Sequence, residues 1–463
     1  MFVEMFATKL DIKTHDALKD VQNIGYSGYT DDSEKVDFEN NGTIPTKQEH
    51  QPQYPSKRLA WETVHVSTYA AKTNNPIRKL VDVLSVQPNP NKTLIKLHIG
   101  DPTVSGVLPP CPATNAALHF ATKSHKYDGY EPSMGSAEAR NSVAQHFTHP
   151  EAVISSDNVI LASGCSHALQ MAIEAIADRG DNILVPSPGF PLYSTLMKPH
   201  GIEDRHYRLD MNQGGLIDLS HLESLIDSRT RAIIINNPSN PIGSVFPKWH
   251  LEAILRVAYH HRVPIIADEI YGCLTYSGEQ FIPIATLTPK VPIITCDGIG
   301  KRYLVPGWRL GWVIVHDRYN VLSEVRNGIL SLSQKIVGPC ALVQGALPRI
   351  LSHTPPEFFE NIRKVLATNA DIVWRNLNRS DLGLKVLRPS GAMYAMVHID
   401  ADLFGDEQLF CQSLITEESV FCLPGSVFNA PQWFRIVLTY SADVTREACD
   451  RIISYCRRHL DRS

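Results

Sequence analysis

Short, continuous runs of apolar residues recur through the middle of the chain, separated by longer stretches in which apolar residues have helical spacing. The runs are Val159–Ala162, Ile183–Val185, Ala232–Ile235, Pro264–Ala267, Pro292–Thr295 and Trp312–Val315. Between two of them, apolar side chains recur at Leu169, Ala172, Ile173 and Ile176. Runs without alternation are typical of strands covered on both faces, so the pattern predicts an α/β domain with a mostly parallel sheet and helices on both sides.

The pattern changes after about residue 350. One long helix is predicted over Phe358 to Leu377, strands over Ala392–Val397 and Phe434–Leu438, and a closing helix around Arg446 to His459. This mixture is typical of a smaller α+β domain.

The first 60 residues are polar, with clusters such as Asp31-Asp32-Ser33-Glu34, and have no helical or strand period. Such a segment cannot bury enough apolar surface to order itself. We therefore predict a flexible polar arm over 1–60, an N-terminal segment of the small domain over 61–110, a large domain over 111–350 and a small C-terminal domain over 351–463.

Composition excludes several classes of protein. The chain has 463 residues, of which 43% are hydrophobic, and its net charge is 44 − 48 = −4, so no basic field favours nucleic acid or an anionic membrane. No apolar segment approaches the roughly 18 residues needed to span a bilayer. Nine cysteines are scattered without a C-x-x-C pair, which favours reduced thiols. We expect a cytoplasmic enzyme that binds neither nucleic acid nor membranes.

Polar residues follow several of the apolar runs. Asp268 ends the run that begins at Pro264, and Asn240 and Lys301 come shortly after two others. Because the carboxyl ends of parallel strands meet at one edge of a sheet, these side chains are predicted to share a site.

Lys301 is followed eight residues later by Arg309. A lysine amine forms an imine with an aldehyde, and an arginine is suited to a phosphate; pyridoxal phosphate has both groups. The alternative is a surface lysine near an unrelated, ion-paired arginine. Ser163-Gly164-Cys165-Ser166 joins a predicted strand to a predicted helix, so its backbone N–H groups are suited to the same phosphate, or are simply a helix cap.

Asp268 is suited to a further part of that cofactor. A buried carboxylate beside the pyridine nitrogen would keep the ring protonated, while Tyr271 and Asn240 could donate to the ring oxygen. A helix cap or a metal ligand are alternatives for Asp268. No metal site is predicted, because no ligand set recurs at suitable spacing and His260-His261 has no glutamate partner in sequence. Arg435, on an apolar strand, is either a ligand for a substrate carboxylate or a paired structural ion.

From about Asn75 to the end, the chain resembles the fold-type-I aminotransferases. The likeness lies in Asn75–Arg78, Ile99–Thr103, Ser163–Ser166, Pro186–Phe190, the stretches around Asn236 and Asp268, Lys301–Trp312 and Arg388–Tyr394. The resemblance implies an α/β fold in which a mostly parallel, seven-stranded sheet covered by helices binds pyridoxal 5'-phosphate, with a smaller α+β domain beside it. It also implies a homodimer with shared sites.

The resemblance also implies roles for particular residues. The catalytic set would be Lys301, which bonds the cofactor and moves a proton, with Asp268 and Tyr271. The cofactor ligands would be Lys301, Asp268, Asn240, Tyr271, Arg309, Gly164, Cys165, Ser166, Phe190, which stacks on the ring, and Tyr127, which reaches the neighbouring subunit's phosphate, with Tyr130 as its alternative. The substrate ligands would be Arg435, Gly100 and Asn240.

The implied activity is transfer of the amino group of L-tyrosine, and of other aromatic amino acids, to 2-oxoglutarate. The products would be 4-hydroxyphenylpyruvate and glutamate, as in the first step of tyrosine degradation. Another aromatic or broad-specificity aminotransferase, a carbon–sulfur lyase of the same fold and a non-catalytic regulator are the alternatives. One departure is Gly298, where many relatives have a phosphate-binding serine.

Overall fold

The computed structural model describes residues 63–83, 86–276 and 278–461, so the predicted arm over 1–60 lies outside the described residues. The helices are α1 (Thr68–Lys72), α2 (Pro76–Val83), α3 (Pro112–Ser124), α4 (Ala137–Phe147), α5 (Cys165–Ile176), α6 (Leu192–Met197), α7 (Leu219–Ser224), α8 (Lys248–His261), α9 (Ile299–Arg302), α10 (Ser323–Ser333), α11 (Ala341–His353), α12 (Pro356–Leu377), α13 (Ala401–Phe404), α14 (Glu407–Glu418) and α15 (Ala442–Leu460). The strands are β1 (Ile95–Lys96), β2 (Val159–Ala162), β3 (Asn182–Ser187), β4 (Glu203–Asp210), β5 (Leu216–Ile217), β6 (Thr230–Asn236), β7 (Ile265–Asp268), β8 (Ile293–Gly298), β9 (Gly311–His316), β10 (Leu384–Leu387), β11 (Tyr394–Ile399), β12 (Val420–Phe421), β13 (Leu423–Pro424) and β14 (Trp433–Val437).

The large sheet has the order β2-β9-β8-β7-β6-β3-β4-β5. All six apolar runs are strands of this sheet, which confirms the prediction. The pairs β8·β7, β7·β6, β6·β3 and β3·β4 are parallel, whereas β9 is antiparallel to both of its neighbours. Beyond the expected seven strands there is an eighth, β5, a two-residue strand that pairs antiparallel with β4 at the edge.

Helices cover both faces of the large sheet, as the continuous apolar runs predict. Ile234 of β6 belongs to a buried cluster that contains Leu169 of α5. Its neighbours Ile233 and Ile235 point to the opposite face and belong to a cluster that contains Leu251 of α8. Each such buried side chain stabilises the fold by about 1.5–3 kcal/mol, which is why alternation disappears from these strands.

The C-terminal part contains a separate antiparallel sheet in the order β10-β11-β14-β13. Its core includes Val373 of α12, Ile452 of α15 and Phe434 of β14. The two-residue strand β1 pairs parallel with β12, with Ile95 opposite Val420, so residues before 110 contact the C-terminal part. This pairing agrees with the predicted small-domain segment, although the domain boundaries stay predictions.

Within the ranges given above, no helix combines the length and the apolar character needed to cross a bilayer.

Backbone packs directly on backbone where β9 meets the start of α5. A Cβ atom on Gly311 would lie 2.6 Å from the amide nitrogen of Cys165 and from the carbonyl carbon of Gly164, and 2.7 Å from the carbonyl oxygen of Asp297. None of these atoms is the end of a flexible side chain. Glycine at 311 therefore allows the N-terminus of α5 to lie against the sheet edge.

We predict that Gly311→Ala lowers the free energy of unfolding by about 1–3 kcal/mol, because the added methyl group has to displace backbone. Gly307→Ala is the matched control, since a Cβ there would meet nothing within 4 Å. Its effect should stay within about 0.5 kcal/mol. Urea unfolding measures both, and equal stabilities of the two variants would contradict the proposed packing.

Candidate active site

Lys301 and Asp268 lie at the carboxyl ends of adjacent strands. Asp268 is the last residue of β7 and pairs in register with Cys296 of β8. Strand β8 ends at Gly298, and the short helix α9 then presents Lys301, whose Nζ donates a hydrogen bond to the carbonyl oxygen of Gly100. The sheet edge thus brings an amine and an acid into one region, as predicted from their positions after apolar runs.

The carboxylate of Asp268 is buried, with 3% of the residue exposed. Its Oδ2 accepts a hydrogen bond of 2.6 Å from the Tyr193 hydroxyl, and its Oδ1 accepts from the Ile270 amide at 3.4 Å and the Cys165 thiol at 3.7 Å. Burial raises the pKa of Asp268 to about 6. Among the described residues, no cation forms an ion pair with it. A protonated ring nitrogen would supply the missing positive charge.

Asn240 is positioned by the turn after β6. The side chain of Asn236, the last residue of β6, donates to the backbone oxygen of Asp268 at 3.1 Å and accepts from the Asn240 amide at 2.7 Å. These two bonds tie the turn to the end of β7. The side-chain oxygen of Asn240 in turn accepts a 2.9 Å hydrogen bond from Arg435.

Arg435 is a buried cation on β14, with 2% of the residue exposed. Its Nη1 donates to Asn240 and its Nη2 to the backbone oxygen of His98 at 3.0 Å, while Nε has no partner. The guanidinium lies 4.1 Å from the ring centre of Tyr394 and 4.6 Å from that of Phe428. Burial lowers the pKa of Arg435.

The described residues do not support the alternative that Arg435 is a paired structural ion. In residues 63–83, 86–276 and 278–461, no carboxylate lies within ion-pair distance of its guanidinium. Leaving a buried charge without a counter-ion costs several kcal/mol. A ligand carboxylate would offset that cost, so the geometry favours a substrate site.

Tyr271 and Tyr394 form a buried pair beside Gly100. Their hydroxyl oxygens are 2.8 Å apart, and burial raises the pKa of Tyr271, which keeps it a protonated donor. A Cβ on Gly100 would lie 2.4 Å from the Tyr394 hydroxyl, so only glycine allows this approach. Tyr394 was not predicted as a site residue, although it ends one of the stretches that carry the resemblance.

The phosphate loop, Ser163–Ser166, has the geometry expected for an anion. Gly164 adopts φ +80° and precedes α5 without a side-chain cap, and Ser166 in the first turn is exposed. Arg309 donates to the carbonyl oxygen of Ser163 at 3.3 Å, and its Nη2 would lie 2.6 Å from a Cβ on Gly164. No described carboxylate pairs with Arg309. A helix N-terminus and an arginine without a described carboxylate partner therefore lie side by side.

The departure at Gly298 has a steric reason. A Cβ at this position would lie 2.8 Å from the carbonyl oxygen of Leu310 and 2.9 Å from the Cα of Gly311. A serine would thus have to displace the backbone of β9.

The three remaining aromatic candidates differ in exposure. Phe190 is half-buried and meets the ring of Tyr193 edge-on, with centroids 5.9 Å apart. Tyr127 is only 6% exposed, and its hydroxyl donates to Glu138 at 3.2 Å. Tyr130, its alternative, is 94% exposed.

A group of metal-ligand type lies away from the predicted site. Glu223 of α7 lies near His260 and His261 at the end of α8, with the His261 ring nitrogen 2.7 Å from the Glu223 carboxylate. Sequence spacing gave no glutamate partner for these histidines, because the partner comes from another helix. Glu223 and His260 are exposed, and His261 is partly so.

The residues present fit pyridoxal phosphate. Asp268 is a buried acid without a described counter-ion, Lys301 supplies an amine, and the phosphate loop with Arg309 is suited to a dianion. The buried guanidinium of Arg435, hydrogen-bonded to Asn240, is suited to a carboxylate. Tyr193 was missed by the sequence reasoning; its spacing of three residues after Phe190 was the available signal.

Comparisons with known proteins agree with this geometry. Residues 92–452 match the family described as aminotransferase class I and II. A tyrosine aminotransferase of Caenorhabditis elegans is 53% identical over 88% of this chain and 88% of its own length, and one of Mus musculus is 47% identical over 87% and 89%. The crystal structure of tyrosine aminotransferase from Leishmania infantum superimposes with a TM-score of 0.82 at 33% identity, covering 86% of this chain and all of that one. The chain belongs to the class I and II aminotransferase family.

Proposed function

We propose that the chain transfers the amino group of L-tyrosine, and of other aromatic amino acids, to 2-oxoglutarate, with pyridoxal 5'-phosphate as cofactor. The observation that carries the proposal is the buried guanidinium of Arg435, which lacks a described counter-ion and is tied to Asn240 at the sheet edge that holds Asp268. Every amino-acid and 2-oxo-acid substrate has a carboxylate beside the reacting carbon. The tyrosine aminotransferases named above support tyrosine as the donor.

When bound, pyridoxal phosphate would supply an aldehyde that is reactive toward amines and a ring that withdraws electrons from the substrate's α-carbon. Asp268, whose pKa is raised by burial to about 6, would hold a proton on the ring nitrogen. Lys301 would hold the cofactor through its aldehyde between turnovers, and its freed amine would move a proton to and from the α-carbon. Tyr271, kept protonated by burial, would donate to the ring oxygen, as would the side chain of Asn240.

Arg435 orients the substrate by binding the substrate's carboxylate. Its planar guanidinium is held by two hydrogen bonds and by the faces of Tyr394 and Phe428, so its direction is fixed before substrate binds. The same group serves both the amino acid and the 2-oxo acid, because both present a carboxylate at that position. Positioning of this kind accelerates the reaction by holding the substrate in the geometry in which it reacts.

The active form proposed here is a cytoplasmic homodimer. We assign the tyrosine that reaches the partner subunit's phosphate to Tyr130 in place of Tyr127. The hydroxyl of Tyr127 already donates to Glu138, and its ring packs so closely on Gly345 that a Cβ there would lie 2.3 Å from it. The exposed side chain of Tyr130 can extend toward a partner subunit.

The first prediction from this function concerns the reaction class. With a panel of amino donors and 2-oxoglutarate, we expect L-tyrosine to give glutamate and 4-hydroxyphenylpyruvate, without release of pyruvate or ammonia. Lys301→Ala should lose the visible absorbance of the bound cofactor and nearly all turnover, while the exposed Lys290→Ala should keep both. Pyruvate or ammonia release would favour a lyase, and an active Lys301→Ala would end the assignment.

The second prediction concerns Arg435. Replacing it with lysine keeps the positive charge but removes the planar pair of donors, so KM for tyrosine and for 2-oxoglutarate should each rise roughly ten- to a hundredfold. The visible absorbance of bound cofactor should be retained. Arg388→Lys, an exposed arginine over Trp374, is the control and should leave both KM values unchanged. A change in KM for only one substrate would contradict a shared carboxylate site.

A third prediction separates the two tyrosines. Tyr130→Phe should release the cofactor roughly tenfold faster on dialysis, because a hydrogen bond to the charged phosphate is lost. Tyr127→Phe should retain the cofactor and lose about 0.5–1.5 kcal/mol of unfolding free energy instead. The reverse pattern would return the role to Tyr127. An enzyme that is active as a monomer would contradict a role across the subunit interface for either tyrosine.

A further inference from the structure

The hydroxyl of Tyr193 makes the shortest hydrogen bond that the described residues give to the Asp268 carboxylate. It donates to Oδ2 at 2.6 Å, whereas the Ile270 amide and the Cys165 thiol reach Oδ1 at 3.4 and 3.7 Å. A thiol is a weak donor, so the tyrosine dominates this set. Together the three donors fix which way the carboxylate faces.

The position of Tyr193 is tightly determined. It lies on α6, only 1% of the residue is exposed, and its ring packs in the cluster that contains Leu169 and Ile173 of α5. The ring of Phe190 meets it edge-on at an interplanar angle of 89°. Because water cannot reach the hydroxyl, nothing competes for the bond to Asp268.

Tyr193 acts only as a donor in this contact. Burial raises the pKa of Tyr193 well above its ordinary value, so the hydroxyl stays protonated over the whole working range. Its partner is under two opposing influences: burial raises the pKa of Asp268, and the hydrogen bond from Tyr193 lowers it. Without the hydroxyl, a larger fraction of Asp268 would be protonated at neutral pH.

We propose that Tyr193 is a positioning residue that keeps Asp268 ionised and oriented toward the ring nitrogen of pyridoxal phosphate. The inference rests on the proposed function, because it assigns Asp268 to that nitrogen. Tyr193 acts through Asp268 rather than on the substrate. It therefore affects cofactor binding and turnover, and it leaves recognition of the substrate carboxylate by Arg435 untouched.

The test compares cofactor-free Tyr193→Phe with Tyr207→Phe and the wild type. Tyr207 is an equally buried tyrosine, but its hydroxyl donates to the backbone oxygen of Ile234 at 2.7 Å, so its removal costs a buried hydrogen bond without touching Asp268. Pyridoxal phosphate is titrated into each protein from pH 5 to 9, and Kd is followed by absorbance. Titration of the cofactor itself is common to all three proteins and cancels in the comparison.

At neutral pH we expect Kd for pyridoxal phosphate to rise roughly ten- to a hundredfold in Tyr193→Phe and to stay near wild type in Tyr207→Phe. Binding weakens as pH falls and Asp268 becomes protonated, near pH 6 in the wild type. In Tyr193→Phe this weakening should begin at higher pH. At saturating cofactor, kcat should fall while KM for tyrosine is unchanged.

Binding curves of Tyr193→Phe that match the wild type at every pH would overturn the inference. An equal rise in Kd in Tyr193→Phe and Tyr207→Phe would also overturn it. If Tyr193→Phe does not fold, Cys165→Ala removes a weaker donor from the same carboxylate. It should shift the pH dependence of Kd in the same direction, but by a smaller amount. An unshifted pH dependence would count against the inference. A wild-type protein that binds no pyridoxal phosphate would overturn the proposed function itself. Tight wild-type binding with an unaffected Tyr193→Phe overturns this inference alone.

Discussion

Two buried groups of opposite charge, each surrounded by neutral hydrogen-bond partners, define this site. Asp268 accepts from a phenol, a thiol and a backbone amide, and Arg435 donates to an amide oxygen and a backbone carbonyl. Neutral partners orient a charge without cancelling it. Each group would cost several kcal/mol to bury unpaired, and the residues described offer neither a counter-ion. The site is therefore suited to bound groups of opposite charge, a cation beside Asp268 and a carboxylate beside Arg435.

The fold keeps those two charges apart and makes each accessible to a ligand. Asp268 ends a strand of the large sheet, whereas Arg435 lies in the C-terminal antiparallel sheet. The segment from His98 to Gly100 connects Arg435 with Lys301: its first carbonyl accepts from Arg435 and its last from Lys301. Glycine at position 100 allows the Tyr394 hydroxyl to pack against this segment. This segment therefore contacts the C-terminal sheet through Arg435 and Tyr394, and the large domain through Lys301.

The sequence predicted the parts of the fold that are buried on both faces, because those strands have a strong and simple pattern. The strand β4 (Glu203–Asp210) was missed, since it lies near the sheet edge and most of its side chains are polar. Lys301, Asp268 and Asn240 were predicted as site residues because each follows an apolar run and has a side chain suited to a part of pyridoxal phosphate. Tyr193 was missed because the hydrogen bond that connects it to the site is with a residue 75 positions away. A choice between Tyr127 and Tyr130 requires the solvent exposure of each side chain, and sequence spacing does not show it.

Asp268 and Glu269 show how finely hydrogen bonding decides the charge of a buried acid. They are neighbours in sequence, both are buried, and burial raises the pKa of each, to about 6 and about 8 respectively. Glu269 points away from the site and accepts one backbone hydrogen bond, from Ile284, whereas Asp268 has three donors. Glu269 is therefore the acid that protonates more readily, and Asp268 the one that ionises more readily. Strand alternation separates the two carboxyl groups, but it is the donors around Asp268, chiefly Tyr193, that make it the one able to hold a cationic ring.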